Sequence, residues 1–161
     1  MNRSKTLVVG LGNPILGDDG VGWRVAEAVQ TAVPHAKVEF LALGGLSLME
    51  RLIGYDRVII IDSIQTKNGR TGDIHIFPLQ ALPDLSAGHT TAVHDTSLQT
   101  ALALGRQMGA QLPDDITIVG IEATRVYDFS DELTPEVETA VPQAVTAVLA
   151  LLQQEAAYAS K

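Results

Sequence analysis

The chain has 161 residues, a net charge of −8 at pH 7 and no cysteine. This length suits one domain with a full hydrophobic core, and the lack of cysteine excludes disulfides, thiolate nucleophiles and cysteine-based zinc sites. The acidic balance argues against general nucleic-acid binding, no apolar run is long enough to span a membrane, and the N-terminal segment lacks a signal-peptide pattern. We therefore expect one cytoplasmic domain over residues 1–161.

The predicted elements alternate between strands and helices along the chain. Strands are expected at about 6–10, 36–41, 58–61, 73–78 and 116–121, and helices at about 20–32, 47–54, 95–108 and from 134 onward. Residues 79–93 are predicted to be mostly loop, Pro142 is expected to kink or restart the last helix, and residues 155–161 are expected to fray. The pattern predicts an α/β fold: a three-layer sandwich with a mostly parallel twisted sheet and helices on both faces.

Polar side chains follow the strands of this predicted sheet at one edge. Asp18 and Asp19 follow the first strand, Asp62 ends the third, Glu122 ends the strand at 116–121, and His94 precedes the third helix. Ligands of parallel α/β sheets bind beyond the carboxyl ends of the strands. Two carboxylates and one imidazole suit a divalent transition metal such as nickel, zinc, iron or copper.

Each of these residues also has a purely structural interpretation. Asp18 and Asp19 can cap the helix that follows them, and Asp62 can cap a turn. His94 can be a structural histidine at a helix start, and Glu122 is a candidate only through its place at a strand end. The remaining histidines are interpreted as solvated bystanders: His35, His75 and His89.

The most distinctive stretch is the glycine-rich loop after the first strand. It reads Gly-Leu-Gly-Asn-Pro-Ile-Leu-Gly-Asp-Asp-Gly-Val-Gly over residues 10–22. The glycines permit close approach of the backbone to a ligand. The loop contains two acids and no lysine or arginine, so it suits a cation better than a phosphate. Ile15 replaces the third glycine of a dinucleotide fingerprint, and the P-loop lysine is missing.

Residues 12–22 resemble the opening motif of the hydrogenase maturation proteases, endopeptidases that trim the C-terminal extension from the large subunit of nickel–iron (NiFe) hydrogenases. Residues 57–63, 92–95, 119–122 and 133–135 resemble later blocks of that family, so the resemblance covers nearly the whole chain. One position departs from it: Leu43 stands before Gly44-Gly45, where many members carry an acid. That loop is expected to help select the substrate, so the resemblance does not indicate which hydrogenase type is processed.

The resemblance implies that Asp19, Asp62 and His94 contact nickel and form the catalytic site, with their individual roles unassigned, while Asp18 shapes or caps the turn. The nickel is expected to arrive with the substrate, the large-subunit precursor, and not to be bound permanently. The implied function is an endopeptidase that removes the C-terminal extension after nickel insertion. A non-enzymatic nickel-binding hydrogenase chaperone is the alternative. Peptidyl-tRNA hydrolase, whose opening also contains Gly-Leu-Gly-Asn-Pro, ranks last because it requires a basic surface for tRNA.

Overall fold

The computed structural model describes residues 4–81 and 93–159, without the side chains of residues 93–97 and 155–159. Within these residues the chain forms five strands: β1 (Thr6–Leu11), β2 (Lys37–Leu41), β3 (Arg57–Ile64), β4 (Ile74–Pro78) and β5 (Asp115–Glu122). It also forms four α-helices: α1 (Val21–Ala32), α2 (Gly45–Leu52), α3 (Val93–Gln107) and α4 (Pro135–Ala159). Single turns of 3-10 helix cover Gly17–Gly20 and Leu79–Ala81.

The strands form one sheet in the order β2-β1-β3-β5-β4. The pairs β1–β2, β1–β3 and β3–β5 are parallel, and the edge strand β4 is antiparallel to β5. After β1 the chain moves outward to β2 and then crosses back to β3, so the direction of strand addition reverses between β1 and β3. In open α/β sheets this reversal opens a crevice beyond the carboxyl ends of the two strands.

Helices cover both faces of the sheet and bury a separate apolar cluster on each. Alternate residues of β3 point to opposite faces, so Val58 and Ile60 lie in one cluster while Ile59 and Ile61 lie in the other. The first cluster contains buried residues of α2 and α3, and the second contains buried residues of α1 and α4. The predicted α/β sandwich with a mostly parallel sheet is therefore confirmed.

Two glycines bring α1 unusually close to the sheet. A Cβ atom on Gly22 would meet the carbonyl oxygens of Leu11 and Ile61, which belong to β1 and β3. A Cβ atom on Gly10 would meet the carbonyl oxygen of Gly22 and the methyl group of Ala26. These glycines allow close packing inside the fold, a different role from the approach to a ligand that the loop pattern suggests.

Several element boundaries differ from the sequence predictions. β3 continues to Ile64 because β5 continues to Glu122 and keeps pairing with it, so Asp62 lies inside the strand and does not end it. α2 begins at Gly45, two residues before the predicted start. α4 does not restart at Pro142, which lies on its exposed side.

The last helix runs to Ala159, past the predicted start of fraying at residue 155. Most of the loop predicted over residues 79–93 lies outside the described residues, as does His89. No helix in the described part of the chain has the length and apolar character needed to cross a membrane.

Candidate active site

Asp19 is held at the crevice between β1 and β3 by two hydrogen bonds. Its Oδ2 accepts the backbone N–H of Asn13 at 2.8 Å, and its Oδ1 accepts the hydroxyl of Ser63 at 3.2 Å. Gly12 favours this bond from Asn13. It has a positive φ of 139° and packs against the backbone carbonyl of Asp19, where a side chain would not fit. A carboxylate has about four lone-pair positions, so Asp19 keeps acceptor capacity beyond these two bonds.

Asp62 lies in β3, directly before the serine that binds Asp19. The Asp62 side chain is buried, and its Oδ1 accepts the backbone N–H of Ser63 at 2.8 Å. Since the Ser63 hydroxyl binds Asp19, one serine contacts both acids. The Ser63 hydroxyl therefore links Asp19 to the strand that carries Asp62. The sequence does not predict this role of Ser63, because a serine next to an aliphatic run carries no distinctive local signal.

His94 is the second residue of α3, whose first residue is Val93. Its side chain lies outside the described residues, so its approach to Asp19 and Asp62 stays a prediction. The described side chains alone contain no group of three His, Cys, Asp or Glu residues arranged to hold a metal ion. A site of two aspartates and one histidine therefore depends on His94.

Asp18 has a different role from Asp19 although the two are adjacent. Asp18 is fully buried, and its carboxylate accepts both the N–H and the hydroxyl of Thr134, at 2.7 and 3.0 Å. Thr134 precedes the first residue of α4, and its carbonyl oxygen accepts the N–H of Glu138. Asp18 therefore caps α4 instead of α1, whose N-terminus has no side-chain cap. Capping was predicted for the adjacent helix, and sequence spacing does not reveal a partner so distant in the chain.

Glu122 is buried at the end of β5 and faces the β3–β4 connection. Its Oε1 accepts the N–H and the hydroxyl of Thr66, both at 2.8 Å. Its Oε2 lies 3.6 Å from Nε2 of His75, and within the described part of the chain neither atom has a hydrogen-bond partner. His75 is therefore not the solvated bystander that its edge-strand position suggests. His35 is exposed, as predicted.

A groove of about 540 Å³ lies beside the opening loop at Gly17. It runs between the opening loop, the segment after β5 and the start of α4, and Gly17, Ser130 and Thr134 line it. Its charged lining consists of three acids and one base: Asp128, Glu132, Glu136 and Arg125. The charged lining of the groove is therefore mainly acidic.

Comparison with known proteins gives a consistent result for sequence and for fold. Residues 23–151 match the family model described as hydrogenase maturation protease. The chain is 31% identical over 153 residues to the hydrogenase 2 maturation protease of Escherichia coli K12, covering 93% of this chain and 92% of that protein. It is 27% identical over 152 residues to the hydrogenase expression/formation protein HupD of Rhizobium leguminosarum bv. viciae, covering 92% of this chain and 74% of that protein.

The fold is similar to solved structures over most of the chain. The hydrogenase maturating endopeptidase HybD from Escherichia coli superposes with a TM-score of 0.76 at 30% identity, covering 93% of each chain. The NiFe hydrogenase maturation protease HybD from Thermococcus kodakarensis superposes with a TM-score of 0.70 at 26% identity, covering 91% of this chain and 98% of that one.

Proposed function

The chain belongs to the hydrogenase maturation protease family, and we propose that it removes the C-terminal extension of a NiFe hydrogenase large-subunit precursor after nickel insertion. Family membership supports an endopeptidase role in hydrogenase maturation. The finer parts of the proposal are the identity of the precursor, the place of the cut and the requirement for nickel. They rest on the chemistry of the candidate site.

The observation that carries the proposal is the hydrogen bond from the Ser63 hydroxyl to Asp19, which ties Asp19 to β3 directly beside Asp62. Asp62 is buried at the end of the aliphatic run of β3, and its Oδ1 accepts the backbone N–H of Ser63. Two carboxylates fixed at the ligand-binding edge of an α/β sheet suit an incoming cation. Such a cation, carried by the precursor, would offset the desolvation of these acids.

In the proposed mechanism Asp19, Asp62 and His94 contact the nickel of the docked precursor. The hydrogen bonds from Asn13 and Ser63 hold the Asp19 carboxylate in one orientation before the substrate arrives. The substrate's nickel would supply Lewis-acid activation of the scissile carbonyl or of a water molecule, or one carboxylate would act as general base. Precursor without nickel lacks the metal that these three residues contact, so it would not be positioned for cleavage.

The test is incubation of the purified protein with nickel-loaded and nickel-free large-subunit precursor, followed by mass spectrometry of the precursor. We expect a shorter product only from nickel-loaded precursor. Asp19→Asn and Asp62→Asn should each lower the cleavage rate by at least about 100-fold, as expected for groups that position the reacting centre. Asp114→Asn is the matched control, because Asp114 is an exposed carboxylate before β5, at the opposite edge of the sheet.

The outcomes separate the alternatives. Cleavage of nickel-free precursor at the same rate as nickel-loaded precursor would overturn the proposed nickel recognition, but not the protease activity. Tight binding of nickel-loaded precursor without any loss of mass would favour the nickel-binding chaperone. If the Asp19→Asn and Asp62→Asn variants fold normally and cleave at the wild-type rate, neither aspartate belongs to the active site.

A further inference from the structure

Three large apolar side chains are exposed on the loops that follow β1 and β5. The exposed fractions are 55% for Ile15, 79% for Tyr127 and 85% for Phe129. We call these three residues the docking rim. Covering a solvent-exposed aromatic ring with a partner lowers the free energy of the complex. Aromatic residues are accordingly enriched at protein interfaces.

The docking rim is carried by backbone that is hydrogen-bonded to the opening loop. The N–H of Ser130 donates to the carbonyl of Ile15 at 3.0 Å, and the N–H of Gly17 donates to the carbonyl of Ser130 at 2.8 Å. The N–H of Asp18 donates to the carbonyl of Arg125 at 2.9 Å. Ile15 and Phe129 therefore flank an ordered junction only a few residues from Asp19. A preorganised surface of this kind loses little conformational entropy on binding.

The groove beside this junction is complementary to a basic segment. Asp128 lies between Tyr127 and Phe129 in the chain, and Glu132 and Glu136 continue the acidic lining toward α4. Arg125 is the one base among the groove's lining residues within the described part of the chain. The overall charge of −8 gives the whole molecule the same sign, which favours association with a basic partner segment.

We propose that the docking rim and this groove bind the large-subunit precursor outside the nickel site, through apolar contacts at the rim and a basic side chain in the groove. This inference rests on the proposed function, because it takes the precursor as the partner. It adds a recognition surface that contains none of the predicted nickel ligands. The affinity that the docking rim and the groove supply should not depend on nickel, whereas cleavage of the precursor should require nickel.

The chain offers matched controls for the docking rim. Leu104 and Met108 are also exposed, by 45% and 79%, but they lie at the C-terminal end of α3. α3 leads into β5, so its C-terminal end lies at the amino edge of the sheet, away from Asp19. Substitutions there remove similar apolar area without touching the proposed surface.

The test measures binding separately from cleavage. Nickel-loaded precursor is titrated calorimetrically into variants made in an Asp62→Asn background, in which the proposed mechanism makes cleavage slow compared with the titration. Phe129→Ala and Tyr127→Ala should each raise Kd by about 10-fold, the usual effect of truncating an aromatic anchor, whereas Leu104→Ala and Met108→Ala should leave Kd unchanged. In the cleavage assay on the otherwise wild-type chain, the rim variants should raise KM with little change in kcat.

The groove is tested by its response to salt. The double variant Glu132→Gln and Glu136→Gln should bind the precursor more weakly at low salt and show a smaller salt dependence of Kd than the wild type, because screening acts on these charges. Glu50→Gln, on the exposed side of α2, is the control. Unchanged Kd in both the rim and the groove variants would overturn the docking proposal. Normal rim-dependent binding with no cleavage by the wild-type chain would instead overturn the proposed function alone.

Discussion

Asp18 binds Thr134 through both of its carboxylate oxygens, at 2.7 Å from the backbone nitrogen and 3.0 Å from the hydroxyl. This contact joins the loop that carries Asp19 to the first turn of α4. The negative charge of Asp18 also lies at the positive end of that helix, where an anion is stabilised by the helix dipole. The first acid of the pair thus anchors the loop, and the second is left to face the crevice.

Loss of the Asp18 anchor should destabilise the whole domain. Asp18→Ala removes both bonds to Thr134 and leaves a cavity, so the free energy of unfolding should fall by about 2–4 kcal/mol. Asp18→Asn keeps the size of the side chain and one acceptor oxygen, and it should cost about 1 kcal/mol. Urea unfolding followed by circular dichroism measures both values. An Asp18→Ala variant as stable as the wild type would contradict the anchoring role.

Ser63 should affect activity through the position of Asp19. Ser63→Ala removes the hydroxyl that binds Asp19 Oδ1, and it should lower kcat/KM for nickel-loaded precursor by about 10-fold, as is usual for partners that orient a metal-contacting side chain. Ser63→Thr keeps the hydroxyl and suits a strand, so it should restore most of the activity. Equal rates for the alanine and threonine variants would show that the hydroxyl does not position Asp19.

Gly22 should tolerate no side chain, because the atoms it faces belong to the backbone. Gly22→Ala would push against the carbonyl oxygens of Leu11 and Ile61, and the resulting shift of α1 should cost about 1–3 kcal/mol. Gly105→Ala is the control: it is also helical, but its nearest neighbours are the flexible ends of Leu112 and Met49, at 2.9 and 3.1 Å. Thermal melting should show a lower Tm for Gly22→Ala, with little change for Gly105→Ala.

Glu122 should hold the β3–β4 connection in place. Glu122→Ala removes the acceptor of the Thr66 N–H and hydroxyl, so unfolding free energy should fall by about 2–3 kcal/mol and the Thr66 amide should exchange faster with solvent. Glu122→Gln retains a carbonyl oxygen for both donors and should show slow exchange at Thr66. Rapid exchange in the glutamine variant as well would mean that charge, and not the hydrogen bonds, secures the loop.

The fold was largely predictable because its signals are local. The unbroken aliphatic run before Asp62 predicts a buried parallel strand, and the alternation of strands and helices predicts the layered architecture. The end of β3 was misplaced because pairing with β5, a long-range contact, extends the strand beyond its aliphatic run. Pro142 did not interrupt α4 because its ring lies on the exposed side of a helix whose opposite side is well packed.

The candidate site was predictable only in part, and for a similar reason. Asp19 and Asp62 could be placed at one edge because parallel strands share their carboxyl ends. The bond from Ser63 to Asp19, the pairing of Asp18 with Thr134 and the approach of His75 to Glu122 depend on side-chain directions between distant segments. No period or spacing in the chain encodes those directions.

The Asp18–Thr134 contact also sets an order of events during synthesis. Its two residues are 116 positions apart, and Thr134 follows β5, so a chain that is still being synthesised cannot form the contact until all five described strands have been made. Before that moment the opening loop lacks its anchor, and closing so long a loop carries an entropic cost that only a largely folded sheet can offset. The opening loop should therefore reach its final position late, after the strands that frame it.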